Sequence, residues 1–121
     1  GDHNKNLATV LNNLACVYLE LDELEKAMDA FSECLKIKSQ ILEENPDDKT
    51  ARLSLGAVLC NVACIHTKKK HYLSAIDVYK EALYLQKSVL HEKHRSTWNV
   101  LENIAYCYLQ IHAYETSLSG A

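Results

Sequence analysis

Val10-Leu11-Asn12-Asn13-Leu14-Ala15 returns as Val58-Leu59-Cys60-Asn61-Val62-Ala63, and again as Val100-Leu101-Glu102-Asn103-Ile104-Ala105. The steps are 48 and 42 residues. A short apolar motif recurring at that spacing predicts stacked helical units, each too small to bury its own hydrophobic face without a neighbour. The columns continue outward from the hexads. Tyr18, His66 and Tyr108 share one, and Leu24, Tyr72 and Tyr114 another. Ala27, Ala75 and Ser117 form a small-residue column, while Phe31 matches Tyr79, Cys34 matches Ala82 and Leu35 matches Leu83.

Each unit reads as two helices. Leu7, Leu11, Leu14, Ala15, Tyr18 and Leu21 recur at steps of three and four, one apolar face of a helix over about 5–20. Asp22 marks a turn. Leu24, Ala27, Met28, Phe31, Leu35 and Leu42 trace a second helix to about residue 44, with Glu23, Glu25 and Asp29 at its positive end. Asn45-Pro46-Asp47 stops it, because proline cannot continue a helix. Asp47 or Asp48 caps the next helix, which runs to about Lys69 and has two extra turns at its front. Gly56 lies inside it, where glycine costs up to ~1 kcal/mol relative to alanine, so close packing is expected there. A fourth helix covers about 72–90 and a fifth about 96–111, and Tyr114 to Ala121 reads as the opening of a sixth. Ala15, Ala63 and Ala105 are expected where paired helices come closest, with Ala27 and Ala75 opposite. Tyr18, Phe31, Tyr79 and Tyr108 are expected to fill the gaps between pairs.

Composition agrees with helices. Among 121 residues, 48% are apolar, with one proline and three glycines, which disfavours a turn-rich β-protein. The formal net charge of −3 lacks the basic surplus that nucleic-acid binding needs. No apolar run approaches the roughly 18 residues of a membrane span, so membrane insertion is not expected. Gly1-Asp2-His3-Asn4 has no signal-peptide character. Gly1, without an initiator methionine, is read as a processed end or a cloned fragment. Cys16, Cys34, Cys60, Cys64 and Cys107 are odd in number and lie in apolar helical contexts. They are expected to be reduced thiols in a cytoplasmic protein.

These columns resemble the tetratricopeptide repeat, a helix-turn-helix unit usually about 34 residues long. The family's small and aromatic positions fall on Ala15, Tyr18, Ala27 and Phe31, on Ala63, Ala75, Tyr79 and Ala82, and on Ala105 and Tyr108. His66 departs from the usual aromatic and Ser117 from the usual alanine. The resemblance implies an all-α fold, a superhelical solenoid of antiparallel helix pairs. One domain over 1–121 would hold repeat 1 at about 5–44, repeat 2 at about 47–90 and a partial repeat 3 at about 96–121. Leu11-Asn12-Asn13-Leu14-Ala15, preceded by Gly1-Asp2-His3, is similar to the repeats of kinesin light chains and nephrocystin-3-like proteins, which have a period of about 42 residues. Their connector carries a His-Pro pair. Here His94 is followed by Arg95, and Pro46 stands without a histidine.

By that resemblance, the first helix of each pair lines a concave groove, and Asn13, Asn61 and Asn103 hold one column of it. Asparagine is a poor mid-helix residue, because its side chain competes for backbone hydrogen bonds. Its amide both donates and accepts, which suits the backbone of an extended peptide. Two readings stand together: the column holds peptide, or it bridges neighbouring repeats. Thr9, Asn12 and Cys16, Cys60 and Cys64, and Asn99, Glu102 and Tyr106 surround the column on the same face or its edges. Glu20, Thr67, Lys68 and Gln110 extend it. A clamp for a C-terminal carboxylate needs fixed cations. The corresponding positions read Asn12, Asn99 and Asn103, so such a clamp is not expected.

Other chemistry is thin. His91 and His94, or Cys60 and Cys64, do not make a zinc ligand set, and His91-Glu92-Lys93-His94 is one residue short of the protease motif. No cofactor, metal or catalytic residue is expected, and the chain does not read as an enzyme. Lys68-Lys69-Lys70-His71 reads as a solvated helix end, and Trp98 as packed against the preceding helix rather than as a binding hot spot. The expected function is a scaffold that binds a protein or extended peptide. The alternative is a structural module that self-associates as a homo-oligomer through exposed repeat ends.

Overall fold

A computed structural model describes residues 2–91 and 93–120, with only the backbone of Asp2. Gly1, Glu92 and Ala121, which enter the readings of the two connectors and of the last segment, lie outside the described residues. Among the described residues there are five helices and no strand: α1 (Asp2–Glu20), α2 (Leu24–Glu44), α3 (Lys49–Lys68), α4 (Tyr72–Lys87) and α5 (Arg95–Leu118). Each packs against the next along the chain, as an all-α repeat array requires.

The two tight turns inside the pairs are copies of each other. Glu23 N–H bonds to Tyr18 O at 2.9 Å, and His71 N–H to His66 O at 2.8 Å. Inside each loop one residue is left-handed: Asp22 at φ 61° and Lys70 at φ 64°. These bonds use up helix-end carbonyls and reverse the chain within three residues. The connection between pairs differs. Asp48 caps α3, its Oδ1 accepting from Ala51 N–H at 3.1 Å, which settles the choice between the two aspartates. Arg52 Nε donates to Pro46 O at 2.7 Å and secures the loop from within α3. His94 caps α5 through Nδ1, which accepts from Ser96 N–H at 3.1 Å.

The small-residue columns bring the helices together. Ala15, Ala27, Ala63 and Ala75 are completely buried, so α1 closes on α2 and α3 on α4 with no side chain to hold them apart. Phe31 and Tyr79 are buried in the seams between pairs. Gly56 faces α4, but a Cβ there would meet Ala82 O at 3.6 Å and Leu85 Cβ at 3.7 Å, which is ordinary contact. The glycine is therefore close to its neighbour without being required by it.

α5 departs from expectation. It continues unbroken through His112 and Ala113 to Leu118, where a turn and a sixth helix were expected. Ala105 and Tyr108 meet no return helix among the described residues and are exposed, contrary to their expected packing roles. Trp98 is also exposed, and Thr97, one position earlier, is fully buried in its place. The basic turn is not wholly solvated either. Lys69 forms an ion pair with Glu25 of α2, joining the tips of the two pairs, and this holds the Glu25 carboxyl below its ordinary range.

Candidate functional site

Helical spacing selects one face on each first helix. On α1 it carries Thr9, Asn13, Cys16 and Glu20; on α3, Ala57, Asn61, Cys64 and Lys68; on α5, Asn99, Asn103, Tyr106 and Gln110. Every one of these residues is exposed or half-buried. The opposite side of α3, with Leu55, Val58, Leu59, Val62 and Ile65, is buried. Packing therefore consumes one side of α3 and leaves a mostly polar side open, whereas the matching apolar residues of α1, Leu7, Val10, Leu14 and Val17, stay exposed.

The asparagine column is not uniform. Asn13 and Asn103 are exposed, and their side chains form no hydrogen bond among the described residues. Asn61 is half-buried, and its Nδ2 points at Cys16 Sγ across a long 4.0 Å contact that links α3 to α1. A sulfur acceptor is weak, so the Asn61 carbonyl and second N–H keep their capacity for a stronger partner. Thr67 Oγ1 donates to Ala63 O at 2.9 Å and lies 3.7 Å from Cys107 Sγ, which joins α3 to α5. Thr9 Oγ1 donates to Lys5 O at 3.0 Å, which spends its proton on its own helix.

The edge residues differ in what they can offer. Asn12 is half-buried, and its Oδ1 has no hydrogen-bond partner among the described residues. Cys60 packs against two core clusters, and burial pushes its thiol up to about 11. It is a neutral apolar wall rather than a nucleophile. Burial likewise raises the Cys34 thiol, which donates to Ala8 O at 3.3 Å. Glu102 is exposed, and Tyr106 stands edge-on to Tyr72 with ring centroids 6.5 Å apart.

One part of the face was not read from sequence. At the front of α1 and α3 a cavity of about 200 Å³ is lined by Lys5, Thr9, Lys38, Thr50 and Ser54, among others. Lys38 belongs to α2, and its Nζ donates to Ser54 Oγ. The cavity's lining also includes the Asp48 carboxylate, so the two ammonium groups of Lys5 and Lys38 share it with an opposite charge. The expected two extra turns at the front of α3 are not there relative to α1; the longer first step comes from α2, with 21 residues against 16 in α4, and from about one more turn at the front of α3 than of α5.

A family profile described as tetratricopeptide repeat matches residues 8–41 and 57–89, just over half of the chain. The chain belongs to the tetratricopeptide repeat family. Its repeats are in general protein–protein interaction modules and as a rule non-catalytic scaffolds. The matched segments are α1 with α2 and α3 with α4, while α5 falls outside them. No curated protein matches the chain. No described helix is long and apolar enough to cross a membrane.

Proposed function

We propose that this chain is a scaffold that holds an extended peptide of a partner protein along the open faces of α1, α3 and α5. The observation that carries the reading is the continuity of that face: three equivalent, mostly polar strips stay open on α1, α3 and α5, and the central one lies opposite the buried side of α3. Asn13, Asn61 and Asn103 would bond the guest backbone, and Cys16, Cys64 and Tyr106 would receive its side chains. Thr9, Asn12, Cys60, Asn99 and Glu102 shape the edges. A backbone-directed grip of this kind accords with the likeness to kinesin light chain repeats. The five unpaired thiols favour a reducing compartment such as the cytoplasm.

The test starts from peptides selected against the wild-type chain from a random library. Asn61→Ala together with Asn103→Ala should weaken their binding about tenfold or more, while thermal unfolding stays within a few degrees. Undiminished binding removes the asparagine column from the site. Unfolding of the double variant assigns the column to the array's own stability.

A second reading rests on α5, where Tyr108, Leu109, Tyr114 and Leu118 are all close to half exposed or more. Two copies joined through this face would form a homo-oligomer. Light scattering across a dilution series decides it, and a monomer at every concentration removes it.

A further inference from the structure

α2 outlasts its counterpart in the second pair. It has 21 residues against 16 in α4, so residues 40–44 have no helical equivalent there. Beside this overhang lies a cavity of about 500 Å³, enclosed by three helices from the middle of the chain. Its floor is Leu42 of α2, Leu55 of α3 and Leu85 of α4. Leu55 and Leu85 belong to one buried cluster, and Leu42 packs against it. Leu55 is on the side of α3 turned away from Asn61, so the cavity is separate from the polar strips.

Glu43, Arg52 and Tyr84 stand around this floor. The Arg52 charge is already answered. Its Nε donates to Pro46 O at 2.7 Å, and its head lies 3.8 Å from Asp47 Oδ1. Glu43 is exposed and forms no ion pair among the described residues. With Glu44 it occupies the last turn of α2, where no basic residue stands. Carboxylates at the negative end of a helix are unfavourable. Tyr84 is 73% exposed beside the leucine floor. The matching columns read Lys36 for Tyr84 and His91 for Glu43, so packing of the repeats requires neither group.

Charge selects the occupant. An apolar group would strip water from the Glu43 carboxylate and return nothing. An anion would meet Glu43 and the negative end of α2. A side chain with a long apolar stem and a cationic head suits both parts of the cavity, its stem on the leucines and its head at the ring and the carboxylate. A guanidinium fits better than an ammonium, because it is flat enough to stack on the ring while its N–H edge forks onto a carboxylate. We infer that this cavity receives an arginine side chain of a partner protein, with the stem on Leu42, Leu55 and Leu85 and the head between Tyr84 and Glu43. The inference does not rest on the peptide reading.

The test titrates the whole isotope-labelled chain with N-acetyl-arginine methylamide at constant ionic strength and follows the backbone amides by NMR. Saturable shifts are expected around the cavity, at Glu43, Leu55 and Tyr84 among others. The citrulline derivative, which has the same shape without the charge, should bind about fivefold more weakly or worse, and the lysine derivative should also bind less tightly. Glu43→Gln and Tyr84→Ala should each weaken arginine binding about threefold or more. Both positions are exposed, so the variants should fold, and circular dichroism checks this. Glu33→Gln, at an exposed position elsewhere on α2, should leave binding within about twofold, and so should Asn61→Ala with Asn103→Ala. Shifts that do not saturate, citrulline or lysine derivatives bound as tightly as arginine, or binding unchanged in Glu43→Gln overturn the inference. A second copy offers only the exposed Arg95. Sedimentation showing self-association that both Arg95→Ala and Glu43→Gln abolish also overturns the inference, by making a second copy the source of the arginine.

Discussion

Replacing Gly56 with alanine should make the protein more stable, although the glycine is buried against another helix. Two effects act in the same direction. Glycine in a helix interior is about 1 kcal/mol worse than alanine, because the unfolded chain loses more freedom. The added methyl would meet Ala82 O, Leu85 Cβ and Gln86 Cγ at 3.6, 3.7 and 3.8 Å, attractive distances rather than clashes. Burying one methyl contributes at most ~0.8 kcal/mol, and part of that surface is already dry. A gain of about 1–1.5 kcal/mol is expected. With an unfolding entropy near 2.1 cal/mol/K per residue, a chain of this length should melt roughly 4–6 °C higher. Gly56→Leu should do the opposite, losing about 1–3 kcal/mol, because its outer atoms would enter space held by Leu85 and Gln86. Urea and thermal unfolding of the three proteins, followed by circular dichroism, provide the measurement. Gly56→Ala melting below the wild type would show that α3 and α4 need closer contact than the distances allow.

Two further outcomes follow from the same geometry. Lys70→Gly should stabilise by about 0.5–1 kcal/mol, since a non-glycine left-handed residue costs ~1–2 kcal/mol and glycine returns part of that as unfolded-state entropy; Asp22→Gly should gain less because aspartate tolerates that region better, and the reverse order in urea midpoints would refute the account. His66 should make stability pH-dependent. Burial, then the neighbouring His71 and Lys69, hold its pKa below the ordinary 6.5. The unfolded chain therefore binds its proton first, and stability present above about pH 6.5 is lost as pH falls toward the lowered value. His66→Tyr, which restores the aromatic of its column, should flatten the urea midpoint between pH 7.5 and 5.5, and an unchanged slope would remove His66 as the cause.

Much of this architecture was legible because a repeat states its own packing. Ala15 with Ala27 and Ala63 with Ala75 were marked as points of closest approach by column alone, and all four are completely buried. The polar strips at 9, 13, 16 and 20 and their counterparts were legible for the same reason, since helical period places them opposite the apolar columns. Other features had no local signal. The Lys69–Glu25 pair spans 44 residues, and the cap on α5 is a histidine rather than one of the usual short polar residues. The straightness of α5 was also out of reach. His112 stands where Asp22 and Lys70 turn, yet α5 runs straight through it.

The sequence by itself determined which residues share a helix face, because the 3.6-residue period and the column chemistry are properties of neighbours along the chain. Tertiary structure alone decided which equivalent faces are covered. Val10, Val58 and Val100 are the same residue in the same column, but Val58 and Val100 are buried and Val10 is 61% exposed. The difference lies in whether another helix is there to exclude water.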